Sequence, residues 1–245
     1  MPIIIAPSDN GSFEIFKDEE YNNFDLELTD DILTEIENKR YDNIILRWYG
    51  NFPLDNLPEC VVKLELYESN FNLQLDNLPL GLKELILHSF NFNQPIDNLP
   101  VGLELLKIGC SVFNQQIDNL PINLKVLHIY SDWYEYNLFN LPNSLNILSL
   151  DFQTIKDFKI IWPPMLEIVY LNTNINLDDL PDSIKTIYIY INTNHTFSKL
   201  PKNLERIVFG GYYKQNNKKQ YQRIMDIIKK DFTREINIGN TGKIG

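Results

Sequence analysis

Three histidines and two cysteines are the residues of this chain best suited to catalysis or metal binding. His88 and His128 could ligate a metal or move protons. The repeat described below, however, sets them two rungs apart, about 9–10 Å at the spacing of paired strands. One zinc ion holds its nitrogen ligands at about 2.0–2.1 Å, and no third ligand falls between the two, so no metal site is expected. His195 falls in a variable bend and is expected to be exposed. Cys60 and Cys110 have no histidine matched to them, and neither a G-x-S-x-G elbow nor a phosphate-binding loop occurs. No catalytic residue and no cofactor are assigned, and the chain is not expected to be an enzyme. Asp55, Asp76, Asp97 and Asp118 recur at one period and could attract a cation, but a solvated acidic stripe accounts for them. What remains is the chemistry of contact, carried by tyrosine, histidine and lysine side chains that recur in register.

The elements that position these side chains are set by a repeat. Pro58, Pro79, Pro100, Pro121, Pro142, Pro163, Pro181 and Pro201 follow one another at intervals of 21, 21, 21, 21, 21, 18 and 20 residues. The third, sixth and eighth residues after each proline are all apolar, as in Leu103, Leu106 and Ile108 or Leu124, Leu127 and Ile129. Tyr41, Ile44 and Leu46 fit the same frame with Asn38 at the proline position. This is the L-x-x-L-x-L pattern of a leucine-rich repeat. It predicts a solenoid of about nine rungs over residues 41–210, each giving one strand to a curved parallel β-sheet. The sixth and eighth positions alternate as in a strand with one buried face. A buried leucine is worth about 1.5–3 kcal/mol, and a lone rung cannot bury its own, so the array is stable only as a stack.

The return side has its own pattern. Leu54, Leu75, Ile96, Ile117, Leu138, Leu177 and Phe197 stand four residues before a proline and should fill the core from the convex wall, joined by the leucines that precede the prolines. Rungs of 18–21 residues leave no room for a full helix, and proline has no N–H, so extended or polyproline-like convex segments are expected. Asn51, Asn72, Asn93, Asn114, Asn174 and Asn194 lie seven residues before a proline, where an amide can satisfy backbone groups of its own and the neighbouring rung. Glu135 and Lys156 replace it in two rungs, and a local irregularity is expected between Ser131 and Trp162.

Phe92-Asn93-Gln94-Pro95-Ile96 and Phe113-Asn114-Gln115-Gln116-Ile117, each followed by Asp-Asn-Leu-Pro, together with the weaker Phe71-Asn72-Leu73-Gln74-Leu75, resemble the FNIP subclass of leucine-rich repeats. The resemblance covers roughly residues 41–210. It fades where Tyr134, Thr173 and Thr193 stand in place of phenylalanine. That subclass is known from social amoebae and from giant viruses of amoebae. The resemblance implies an interaction scaffold, in some members joined to an F-box.

Both ends read as caps. In residues 1–40, Ile3-Ile4-Ile5 and Phe13-Glu14-Ile15-Phe16 read as short strands, and Thr29 as the N-cap of a helix over 29–40. Leu28 to Ile36 also resembles the opening helix of an F-box, so a substrate receptor of a ubiquitin ligase, with residues 26–40 as a reduced F-box, is an alternative. In residues 211–245, Gly210-Gly211 breaks the pattern. Tyr221, Ile224, Met225, Ile228 and Phe232 then predict an amphipathic capping helix with a basic outer face, over about 215–231.

The net charge of −11 argues against nucleic-acid binding by bulk electrostatics. No stretch is long and apolar enough to cross a membrane. The absence of a basic leader and the scarcity of cysteine favour a reducing, intracellular compartment, the host cytoplasm if the source is viral. The expected function is binding of a protein partner on the concave face, through Tyr67, His88, Lys107, His128, Tyr130, Tyr170, Tyr188 and Tyr190. These are outward residues at the seventh and ninth positions after the proline. A structural or virion-associated role is a further alternative.

Overall fold

Each proline opens a tight turn. Its carbonyl accepts a hydrogen bond from the N–H three residues on, at 3.0 Å from Val61 to Pro58, Leu82 to Pro79, Leu103 to Pro100 and Leu124 to Pro121. The same bond spans 3.2–3.3 Å in the four later rungs. The turn drops the third residue into the core and starts the strand. At Gly81 a β-carbon would lie 2.8 Å from the Glu59 carbonyl oxygen of the rung before, so this turn packs too closely for any larger residue.

The computed structural model describes residues 3–7, 13–16, 44–48, 53–54, 57–152, 158–190, 198–210, 222, 225–226 and 237–240. The strands are β1 (Ile3–Pro7), β2 (Phe13–Phe16), β3 (Ile44–Trp48), β4 (Val61–Ser69), β5 (Glu84–Ser89), β6 (Leu105–Gly109), β7 (Val126–Ser131), β8 (Ile147–Phe152), β9 (Ile168–Leu171), β10 (Thr186–Tyr190), β11 (Arg206–Gly210) and β12 (Asn237–Asn240). They form one sheet in the order β12-β11-β10-β9-β8-β7-β6-β5-β4-β3-β1-β2. From β3 to β12 every pairing is parallel, the arrangement of a β-solenoid.

The register keeps the repeat frame: Leu85 faces Leu106, then Leu127, then Leu148, then Val169. All twenty-four residues at the third, sixth and eighth positions from Val61 to Phe209 are at most 2% exposed. From the far wall, Leu54, Leu75, Ile96, Ile117, Leu138 and Leu177 complete the core. Among the described residues, the segments that join β4 through β11 contain no helix.

That wall is also hydrogen-bonded from rung to rung. Asn72 Oδ1 accepts from the N–H of Asn93 (2.9 Å), Asn93 Oδ1 from that of Asn114 (2.8 Å), and Asn114 Oδ1 from that of Glu135 (3.0 Å). The repeated aspartates are not merely solvated, as the sequence suggested. Asp76 accepts from Asn98 Nδ2 at 2.8 Å and Asp97 from Asn119 Nδ2 at 3.0 Å, so Asp-Asn is a second ladder between rungs. Phe71, Phe92, Phe113 and Tyr134 form a buried aromatic spine, with successive centroids 6.0, 6.1 and 6.3 Å apart and rings nearly parallel.

The expected irregularity appears on the return side, opposite the strands. Leu138 bridges Ile160, three residues before its proline rather than four, and Asn137 Oδ1 accepts from the Lys159 N–H at 2.7 Å. The wall is displaced by one residue at an unchanged 21-residue interval, which is why Lys159 occupies the otherwise apolar position. In the 18-residue rung, Thr173 is both the tenth residue after one proline and the eighth before the next. It is buried where the spine would continue.

From Pro79 onward, the fourth residue after the proline forms a line of alternating charge along the entry edge of the sheet, interrupted at Asn146. Lys83 lies 3.8 Å from Glu104, Glu104 lies 2.6 Å from Lys125 and, past Asn146, Glu167 lies 2.8 Å from Lys185.

At the start of the chain, β1 and β2 are the two short strands expected there; they pair antiparallel, and β1 continues the sheet beside β3. The helix expected over 29–40, and with it the F-box resemblance, lies outside the described residues. At the other end, Gln222, Met225 and Asp226 are helical; Gln222 donates to Asp226 one turn on (2.8 Å) and Met225 packs on the core. Two expectations change here. Gly210 does not break the pattern but pairs with Tyr190 as the last residue of β11, and the tail adds strand β12 beyond it. The alternation Ile236-Asn237-Ile238 was the signal for β12, too short to stand out.

Candidate functional site

A parallel sheet with one face in the core presents its fifth, seventh and ninth columns on the other. Tyr67 and His88 stack across β4 and β5, with ring centroids 5.2 Å apart and 14° between their planes. Lys107 and His128 are register neighbours on β6 and β7. Beyond the small Ser149 on β8, Tyr170 on β9 leans back to within 6.2 Å of His128. Tyr170 stacks on Tyr188 of β10 at 4.1 Å and 9°. Tyr130 lies beside Gly109 and Asp151 in the ninth column, and Tyr190 occupies that column on β10. All eight predicted contact residues are thus on one face, and five of them make ring contacts with one another: Tyr67 with His88, and Tyr170 with His128 and Tyr188.

The face is not uniformly open. Glu65 on β4 is 3% exposed and held by Lys63 at 2.9 Å. Ile86 on β5 is 6% exposed and Val208 on β11 is fully buried, although both belong to the outward seventh column. From β6 to β10, by contrast, every outward residue is at least partly exposed. The columns alone could not reveal this burial, because it depends on three-dimensional packing rather than on the strand period.

Sequence reasoning also passed over the fifth column. Leu105, Val126, Ile147 and Ile168 follow one another on β6–β9, all half-buried and all on the face away from the core. They form an apolar stripe parallel to the ring column, two residues away along each strand. The signal was present in the sequence as four successive apolar residues where solvent-facing polar ones are usual.

Electrostatically, the two histidines stay neutral near pH 7. Burial, with Lys107 second, pulls His128 down to about 4 and lowers His88 in the same direction. Burial raises the Tyr170 phenol, and the adjacent Tyr188 adds to the effect. Asp151 accepts a 2.7 Å hydrogen bond from Asn172 Nδ2, yet burial first and the nearby Asp132 next lift its carboxyl above the ordinary range. Among the described residues, no group of three or more His, Cys, Asp or Glu side chains could hold a metal ion. Cys110 is buried with its thiol pushed up to about 11 by desolvation, a poor nucleophile, and it forms no disulfide with Cys60.

His195 lies outside the described residues. Among the described residues, no helix is long and apolar enough to cross a membrane. No protein-family model and no curated protein matches the sequence. The solenoid and the geometry of its open face are therefore the ground for a functional reading.

Proposed function

We propose that the chain is a leucine-rich repeat protein of the FNIP subclass, closed by terminal caps, that acts as a non-enzymatic scaffold and holds a protein partner against the concave face. The observation that carries this reading is the stretch from β6 to β10, where an apolar stripe and a stacked aromatic column lie side by side and partly exposed. On β4, β5 and β11 the seventh-column residues of the same face, Glu65, Ile86 and Val208, are buried. Interface cores are enriched in aromatic residues and depleted in charge, with polar rims, and this face has that composition. The stacked rings also offer large contact area at little cost in side-chain freedom.

Affinity purification with the full chain, beside the variant carrying Tyr130→Ala, Tyr170→Ala and Tyr188→Ala, tests it. Partners held by the parent chain should be lost from the variant while its circular dichroism and melting temperature stay close to the parent's. Capture that is unchanged by the triple substitution removes this face as the binding surface.

A further inference from the structure

The open face carries a charge feature that defines what it should bind. Tyr130 is 42% exposed, and its register neighbour on β6 is Gly109, which offers no side chain. His88 leans over that gap from β5, so close that a β-carbon on Gly109 would stand 2.7 Å from its Nδ1. On the remaining sides stand two carboxylates. Asp132 accepts from the Tyr130 hydroxyl at 3.4 Å, and Asp151 is the register neighbour on β8, steadied by Asn172. Neither aspartate has an ion-pair partner among the described residues.

An exposed aromatic ring between two carboxylates, beside a neutral histidine, is complementary to a cation. A guanidinium or ammonium group there meets the ring face and both acids at once. Lys107, the cation of the neighbouring column, makes no ion pair with either aspartate and does not neutralise them. Toward the entry edge, four residues away along each strand and so about 13 Å distant, runs the stripe of Leu105, Val126, Ile147 and Ile168.

We infer that the open face is built for a partner segment that sets a lysine or arginine between Asp132 and Asp151 against Tyr130, and lays apolar side chains along the Leu105–Ile168 stripe. This rests on the interaction-scaffold reading and specifies its partner: a basic-apolar peptide segment with the two features about 13 Å apart. Acidic segments are disfavoured by the same two carboxylates, so the site selects against wrong partners as well as for right ones.

Selection of a displayed library of random twelve-residue peptides on the immobilised full chain tests the inference. Enriched peptides should carry Lys or Arg together with Leu, Ile, Phe or Trp. Synthetic copies should lose at least tenfold in affinity on the Asp132→Asn/Asp151→Asn variant and on Ile147→Thr/Ile168→Thr, two strand-compatible changes whose folding is checked by circular dichroism. Enriched peptides that lack a basic residue, or that bind the Asp-to-Asn variant as tightly as the parent, overturn the cationic specification. If they still weaken on Ile147→Thr/Ile168→Thr, the scaffold reading stands. Peptides insensitive to both variants, or no enrichment above a blank support, overturn both.

Discussion

The rungs of β4–β7 and those of β8–β10 share one core and differ in everything outside it. In the first group the far wall is saturated: a spine of parallel rings, an asparagine ladder and an Asp-Asn ladder each repeat at the 21-residue period. In the second group the spine ends at Tyr134, which tilts onto Phe152 at 5.0 Å, one wall slips by a residue, and one rung shrinks to 18 residues. Leu148, Leu150, Val169, Leu171 and Ile187 are nevertheless as fully buried as Leu85 or Leu106. The three strand columns therefore persist where the ladders and the ring spine stop, and Leu138 and Leu177 still close the core from the far wall. The second group also carries the closest ring stacking on the open face, Tyr170 on Tyr188.

This contrast can be broken most sharply at the spine. Phe92→Ala removes a ring stacked on both sides and should destabilise by about 3–5 kcal/mol in urea unfolding. Leu127→Ala, in the same buried cluster, should cost a comparable amount, about 2–5 kcal/mol. A loss near zero for Phe92→Ala would mean the spine is not structural. Asn93→Ala comes next, at about 1–3 kcal/mol, because the Asn114 N–H loses its acceptor. Hydrogen exchange should then quicken at Asn114 and leave Lys159, served by Asn137, unchanged.

The smaller effects sharpen the same comparison from the irregular side. The Tyr134 hydroxyl and the Thr173 Oγ1 are buried without a hydrogen-bond partner, and both occupy spine positions. Tyr134→Phe should therefore stabilise, by up to about 1 kcal/mol. Loss of stability would show that the hydroxyl is satisfied by bound water. His128 contributes a pH dependence. Its folded value, about 4, lies below the unfolded value of about 6.5, so the unfolded chain binds the proton first. Its contribution is complete above pH 6.5 and is lost as the pH falls toward 4. Melting temperatures of the parent and His128→Gln should diverge in that window and coincide at pH 7–8.

Period and core were legible because apolar spacing at the third, sixth and eighth positions is a one-dimensional signal. The asparagine ladder was legible for the same reason, since an amide recurring at a bend has few other uses. The phenylalanines marked a family resemblance without revealing a buried spine, because their burial depends on how the wall turns inward. The Asp-Asn ladder stayed hidden because its partners sit in successive rungs, 22 residues apart. Of the site, the ring columns followed from the frame. The apolar stripe was readable but unread, and the burial of Glu65, Ile86 and Val208 needed three dimensions.

The alternating line of Lys83, Glu104 and Lys125 has a bearing on how such a chain can change length. Duplicating one rung within it would set like charges on adjacent strands, a small but repeated penalty. Duplicating two rungs keeps the alternation. Asn146 is the neutral position where the sign resets before Glu167 and Lys185. The array thus has a parity: it lengthens most easily by pairs of rungs, and by a single rung only beside Asn146.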